Sequence, residues 1–295
     1  MKLKPLLLNK SQGFKLTFFF VIVLFVAFLT SLIMGFFIED DINKLMSNIF
    51  DQRIHIIVNF LCILIFPVYI LSFFERTRIR DLVGLNRSFI NKQVFFLIMS
   101  IISIQPFIVY TVYLNSEFIF SVFGQLPEII SLFENMEEQA NMFIQNLLNQ
   151  QGYHNLAINI VLLAILPAIG EELFFRGVIQ KKLTYIIINP HLAILITSIV
   201  FSAIHLQFFG FLPRLILGLV LGYFFYYSKN LWMPILAHFT HNALSVLALF
   251  FTKNQLSATQ LDLNDNNINL TLIIASIFFF VIFFYLFIKV YKNEK

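Results

Sequence analysis

Glu171 and Glu172 are adjacent, Arg176 follows four residues on, and all three lie in an apolar run that begins near Leu156. An ionisable side chain at the centre of a membrane helix costs roughly 2.5–3.5 kcal/mol on insertion scales, so such residues pair or face a wet cavity. On a helix, Glu172 and Arg176 stand at i,i+4, share a face and can bridge. Glu171 is rotated by about 100° from Glu172 and can point elsewhere. One carboxylate is then held by a guanidinium and one is left over for chemistry. A structural ion pair between packed helices is the alternative reading of the same residues.

Two further polar sites follow in apolar surroundings. Phe201 and His205 are four apart, as are His238 and Asn242. His55, His154 and His191 read as packing or loop-end residues, whereas His205 and His238 occur in the same few helices as the two glutamates. A carboxylate and an imidazole can share the deprotonation of a water molecule. A second histidine and a carboxamide can donate hydrogen bonds to a developing oxyanion. That set could hydrolyse a peptide bond without a covalent nucleophile. Glu171, His205 and His238 could instead supply three ligands to a divalent metal such as zinc. Asn242 weighs toward the oxyanion hole, being a poor zinc ligand and a good amide donor. Neither an HExxH nor a GxSxG pattern is present, which argues against the commonest zinc and serine hydrolases.

The elements that must position these residues are membrane helices. The chain of 295 residues is 59% hydrophobic and 12% charged, with mean hydropathy +0.84. A soluble domain carries about 25% charged residues. An all-α polytopic membrane bundle of about eight transmembrane helices is expected, near 16–38, 54–74, 93–114, 155–182, 190–208, 213–227, 231–251 and 270–290. The stretch 115–153 holds Glu117, Glu128, Glu134, Glu137 and Glu138 with no Lys or Arg, and its one-sided apolar pattern predicts one or two amphipathic surface helices. The lone Cys62 excludes a disulfide framework. With both termini in the cytoplasm, 16 of the 20 Lys+Arg fall in inside segments, and the positive-inside rule favours that orientation. The small net charge of +4 is a matter of topology, not of nucleic-acid binding.

Glu171-Glu172 with Arg176, then Phe201 and His205, then His238 and Asn242 resemble EExxxR, FxxxH and HxxxN. These are the ordered motifs of the CPBP family, the CAAX prenyl proteases type II and bacteriocin-processing enzymes. Flanking residues agree, including Gly177, Gly218, Gly222, Trp232 and Pro234. The match covers 155–251, about a third of the chain. The resemblance implies an intramembrane endopeptidase acting on a membrane-associated protein or peptide in the bilayer, and a bacterial plasma membrane is the expected location. By the family pattern, Glu171 and His205 activate water, His238 and Asn242 form the oxyanion hole, and Glu172 and Arg176 support them. Both metal-dependent and metal-free mechanisms are argued for the family. The chain then divides into 1–153, N-terminal helices and surface segment; 154–252, the protease-like core; and 253–295, a loop and the last helix. A non-catalytic role in bacteriocin immunity or partner binding, and a transporter with a carboxylate proton relay, are the rival expectations.

Overall fold

A computed structural model of the chain describes residue 7 and residues 9–37, 48–150, 152–252 and 269–293. Lys2, Lys4, Lys44, Lys253 and Lys295 of the charge division lie outside the described residues, as does the 253–268 stretch of the last loop. The regular structure that is described is all helical. In chain order it comprises α1 (Gln12–Phe37), α2 (Ile49–Glu75), α3 (Ile79–Val83), α4 (Asn91–Phe123) and α5 (Pro127–Leu148). It continues with α6 (Tyr153–Ile187), α7 (Pro190–Ala203), α8 (Phe211–Ser228), α9 (Trp232–Phe251) and α10 (Leu270–Asn293).

Seven of these helices are long and apolar enough to cross a membrane: α1, α2, α4, α6, α8, α9 and α10. This is the expected polytopic bundle, with one difference. The predicted crossing at 190–208 is a helix of 14 residues, only ~21 Å long at 1.5 Å per residue, against a hydrocarbon core of about 30 Å. It stops at Ala203 because the chain turns back there, through Leu206 in the left-handed region (φ 54°) and a 3₁₀ turn at Phe208–Gly210. A hydropathy run cannot register that stop, because the residues on both sides of it are apolar.

Two long helices contain wide π-helical turns placed where proline requires them. Proline has no N–H and crowds the carbonyl four residues back. In α2 the π turn Phe60–Ile65 precedes Pro67, and in α6 the π turn Val161–Ile165 precedes Pro167. A third π turn, Leu173–Gln180, begins next to the paired glutamates.

Small residues let the central helices touch. Gly218 and Gly222 form a GxxxG pattern on α8, a spacing that brings helix backbones close. A Cβ on Gly222 would lie 2.7 Å from Ile194 Cγ2, and one on Gly218 would lie 3.0 Å from Ser198 Cβ. The carbonyls exposed by this approach are used: Arg176 Nη2 donates to Gly218 O and Gln180 Nε2 to Gly222 O, both at 3.0 Å. The pairs 176–218 and 180–222 run in the same sense, so α8 is parallel to α6. The pairs 198–218 and 194–222 run in opposite senses, so α7 is antiparallel to α8.

The segment expected to be amphipathic divides differently from its predicted bounds. α4 continues to Phe123, and a single 22-residue helix, α5, follows. Leu147 is the one buried residue of α5. Phe133 of α5 stacks on Phe208 at 4.1 Å between ring centroids, which places α5 against the turn that follows α7.

Candidate functional site

Glu172 and Arg176 form the ion pair that their spacing predicts. Arg176 Nη1 donates to Glu172 Oε1 at 2.8 Å, and both side chains are fully buried. The guanidinium also lies over the Phe201 ring, 4.7 Å from its centroid. Charge, backbone carbonyl and aromatic face thus together compensate a cation removed from water.

His238 completes the cluster from α9. Its Nδ1 is 2.8 Å from the same Glu172 Oε1, and its Nε2 is 3.9 Å from Glu171 Oε2. A carboxylate paired with arginine only accepts, so His238 Nδ1 carries the proton and donates it to Glu172. Nε2 is the nitrogen turned to Glu171, at a distance too long for a hydrogen bond. Glu171 is 8% exposed, and among the described residues it has no hydrogen-bond partner. The sequence expectation that one glutamate is held and the other left over agrees with this geometry.

His205 lies beyond the end of α7, on the turn, and is half-buried. Its Nδ1 donates to Phe201 O at 2.8 Å. A carbonyl cannot donate, so the tautomer is set here too, and Nε2 is the acceptor of the neutral ring. Phe201 contacts both histidines, its ring centroid 5.3 Å from that of His205 and 6.0 Å from that of His238. Asn242 is half-buried one turn beyond His238, on the same face of α9. The buried Nδ1 of His241 has no hydrogen-bond partner among the described residues.

By counting along straight helices, His205 and His238 stand at different depths. The start of α9 resolves this. Ser228, Asn230, Leu231 and Met233 are all buried, beneath the segment between α3 and α4. Leu231 N donates to Gly84 O at 3.0 Å, and Asn230 Nδ2 reaches Arg87 O and Ser88 O at 3.3 and 3.4 Å. The helix therefore starts recessed within the protein. Six residues of α9 reach the level of Phe201, which lies eleven residues into α7.

Among the described residues, no group of three His, Cys, Asp or Glu side chains could hold a metal ion.

Several positioning residues carried no recognisable pattern in the sequence. Asn115 of α4 donates from Nδ2 to Phe208 O and Phe209 O, each at 2.8 Å, and accepts from Leu212 N at 3.3 Å. Ser202 Oγ donates to Phe211 O at 2.6 Å. These bonds hold the turn on which His205 sits. Arg214 folds back over Gly210 and donates to Gln207 O and, at 3.1 Å, to Gln207 Oε1. Gln207 Nε2 in turn reaches Glu137 Oε1 of α5 at 3.4 Å. Burial pushes the Glu137 carboxyl up from its ordinary value, and the Arg214 cation opposes the shift. An isolated polar residue in an apolar run was the available signal for Asn115, but its partners are backbone atoms about 90 residues away.

Comparison with known proteins bears on the same segment. The chain is similar to the uncharacterized protein YpbD of Bacillus subtilis (strain 168), at 28% identity over 97 residues, 32% of this chain and 47% of that protein. It therefore spans about half the length of that curated relative. No solved structure matches. Residues 153–244 match the family model described as type II CAAX prenyl endopeptidase Rce1-like, which supports a family-level assignment for the stretch that holds Glu171, Glu172, Arg176, His205, His238 and Asn242.

Proposed function

We propose that this protein is an intramembrane endopeptidase that hydrolyses a peptide bond of a membrane-associated protein or peptide. The observation that carries the reading is the Glu172–His238 hydrogen bond. It joins the paired-glutamate turn of α6 to α9 and leaves Glu171 facing a second imidazole nitrogen.

In this reading Glu171 and His205 Nε2 take a proton from water. The water oxygen then bonds to the carbonyl carbon of the scissile peptide, and the carbonyl π electrons move onto oxygen. The oxyanion accepts hydrogen bonds from the Asn242 amide and from His238 Nε2–H. His238 can donate there only as the imidazolium, because the Nδ1 proton is committed to Glu172. Collapse of the tetrahedral species breaks the C–N bond, and the proton held by Glu171 or His205 passes to the departing amine. Glu172 and Arg176 are positioning residues: they orient the His238 ring and do not touch substrate. No metal takes part.

The charge pattern supports an orientation. We place the Lys181–Lys182 end of α6 in the cytoplasm; α7, though short, carries the chain back between the parallel helices α6 and α8, so both termini fall on that side, in a bacterial plasma membrane. The residues assigned to chemistry concentrate in 154–252, in keeping with that stretch as the catalytic core.

The test is a comparison of membrane peptides by mass spectrometry from cells carrying wild-type protein and Glu171→Gln. Glu171→Gln is expected to fold normally and to lose cleavage by at least about 10²-fold, the scale of general-base catalysis. Purified wild-type protein stripped by a strong chelator is expected to keep its activity. Unchanged peptide profiles would refute the enzyme, and activity restored by stoichiometric zinc would refute the metal-free chemistry.

A further inference from the structure

A polar cavity lies away from the candidate site, at the end of the bundle where α9 begins. It measures about 410 Å³ and is lined by residues that include Arg87, Ser88, Gln93, Ser228, Asn230 and Tyr291. Three separate pieces of chain meet there: the 86–93 stretch that runs into the first turn of α4, the α8–α9 junction and the last turn of α10. Among the described residues, no Asp or Glu lines it.

Of the donors in this cavity, Arg87 and Ser88 are solvent-exposed and Gln93 is buried. Arg87 Nη1 donates to the Tyr291 hydroxyl at 3.1 Å and to Ser228 O at 3.4 Å, leaving the rest of the guanidinium fork without a described protein acceptor. Gln93 is 2% exposed, yet its Nε2, a two-proton donor, has no hydrogen-bond partner. A buried amide nitrogen without an acceptor costs free energy; Gln93 lines the cavity, and a half-turn of its terminal amide, which exchanges Oε1 and Nε2, would offer that donor to an acceptor from outside the chain. One fixed cation, a buried amide donor and the Ser88 hydroxyl, with no carboxylate among them, match a compact anion with several oxygens. The setting agrees: Arg76, Arg78, Arg80 and Lys92 are exposed at the same loop region, as expected where helix ends meet anionic headgroups.

We infer that this cavity binds a phosphate group, carried by a phospholipid headgroup or free in solution, through Arg87, Ser88 and Gln93. The consequence reaches the candidate site. Arg87 O and Ser88 O accept from Asn230, which anchors the recessed start of the helix bearing His238. An occupant therefore braces the loop that sets the depth of α9.

The experiment uses the full chain in neutral detergent, incubated separately with phosphatidylglycerol and with diacylglycerol, which lacks the phosphate. Retained lipid is counted by native mass spectrometry, and a parallel calorimetric titration uses inorganic phosphate. One phosphatidylglycerol per chain and no diacylglycerol is the expected result. Arg87→Gln should weaken binding about tenfold to a hundredfold and Gln93→Leu about threefold to tenfold, the ranges for a charge-assisted and a neutral hydrogen bond. Gln93→Leu removes an unpartnered donor at similar volume, so its thermal stability should not fall, and a folding defect in Arg87→Gln leaves this second variant decisive. Binding of inorganic phosphate with the same dependence on both residues, without lipid retention, supports the site and assigns it to free phosphate. Equal binding by wild type and both variants, equal retention of the two lipids, or no binding of either probe overturns the proposal.

Discussion

Nδ1 of His238 lies 2.8 Å from Oε1 of Glu172, the same oxygen that accepts from Arg176 Nη1 at 2.8 Å. One carboxylate oxygen thus ties α9 to α6 and sets the orientation of the ring that faces Glu171. Both partners are almost wholly removed from solvent, with Glu172 at 0% and His238 at 3% exposure. The pair is therefore a structural centre as much as a chemical one.

Arg176→Ala should cost about 3–5 kcal/mol of stability, the loss observed when one partner of a buried ion pair is removed. Glu172 would be left charged and half-satisfied, and the Gly218 carbonyl would lose its donor. Activity should fall with it, because His238 would no longer be fixed. Thermal unfolding in detergent measures the first effect, and stability equal to wild type would show that the pair does not hold the helices.

Asn115→Leu should loosen the turn that carries His205. Two carbonyls and one N–H would lose their partner, at about 1–3 kcal/mol for each group left buried and unsatisfied. Hydrogen exchange should accelerate in 204–212 while remaining slow around Glu172 and Arg176. Uniform acceleration across the bundle would mean that Asn115 acts on the whole fold and not on the turn.

Glu137 supplies a pH dependence. Its carboxyl titrates above the usual range because of burial, with Arg214 opposing. A raised folded-state value means that the folded protein binds this proton more tightly than the unfolded chain does. The contribution of Glu137 to stability is therefore fully present at low pH and is lost as pH rises through the raised value. Glu137→Gln should remove that loss, so the difference in melting temperature between variant and wild type should grow in favour of the variant toward neutral pH. A difference that is flat from pH 4 to pH 7 would place the carboxyl in contact with water.

The orientation can be read with reporter fusions. Fusions after Arg80 and after Lys182 should report cytoplasm, and a fusion after Asn149 should report the opposite side. The motive is the Lys+Arg division, in which 16 of 20 fall on one side. A signal from outside at Lys182 would invert the assignment and turn the α5 end of the bundle to the cytoplasm.

What one dimension can encode was legible in the chain. The crossing helices follow from the length of uncharged apolar runs, because a backbone in hydrocarbon must satisfy its own hydrogen bonds. The Glu172–Arg176 pair follows from the helical period alone, since four residues return a side chain to the same face. The candidate set of Glu171, His205, His238 and Asn242 was likewise visible as polar residues where apolar ones are the rule.

Other features were decided only by the meeting of separate helices. His238 binds Glu172 across 66 positions of sequence. The end of α7 at Ala203, the burial of the α8–α9 junction under the 84–90 segment, and the grip of Asn115 on the 208–212 backbone all depend on where distant carbonyls and amides lie in space. Hydropathy and periodicity describe what each segment would bury, and are silent on which neighbour buries it. The depth at which His205 and His238 meet is such a quantity: counting residues along straight helices separates them, and the recessed start of α9 brings both into contact with the Phe201 ring.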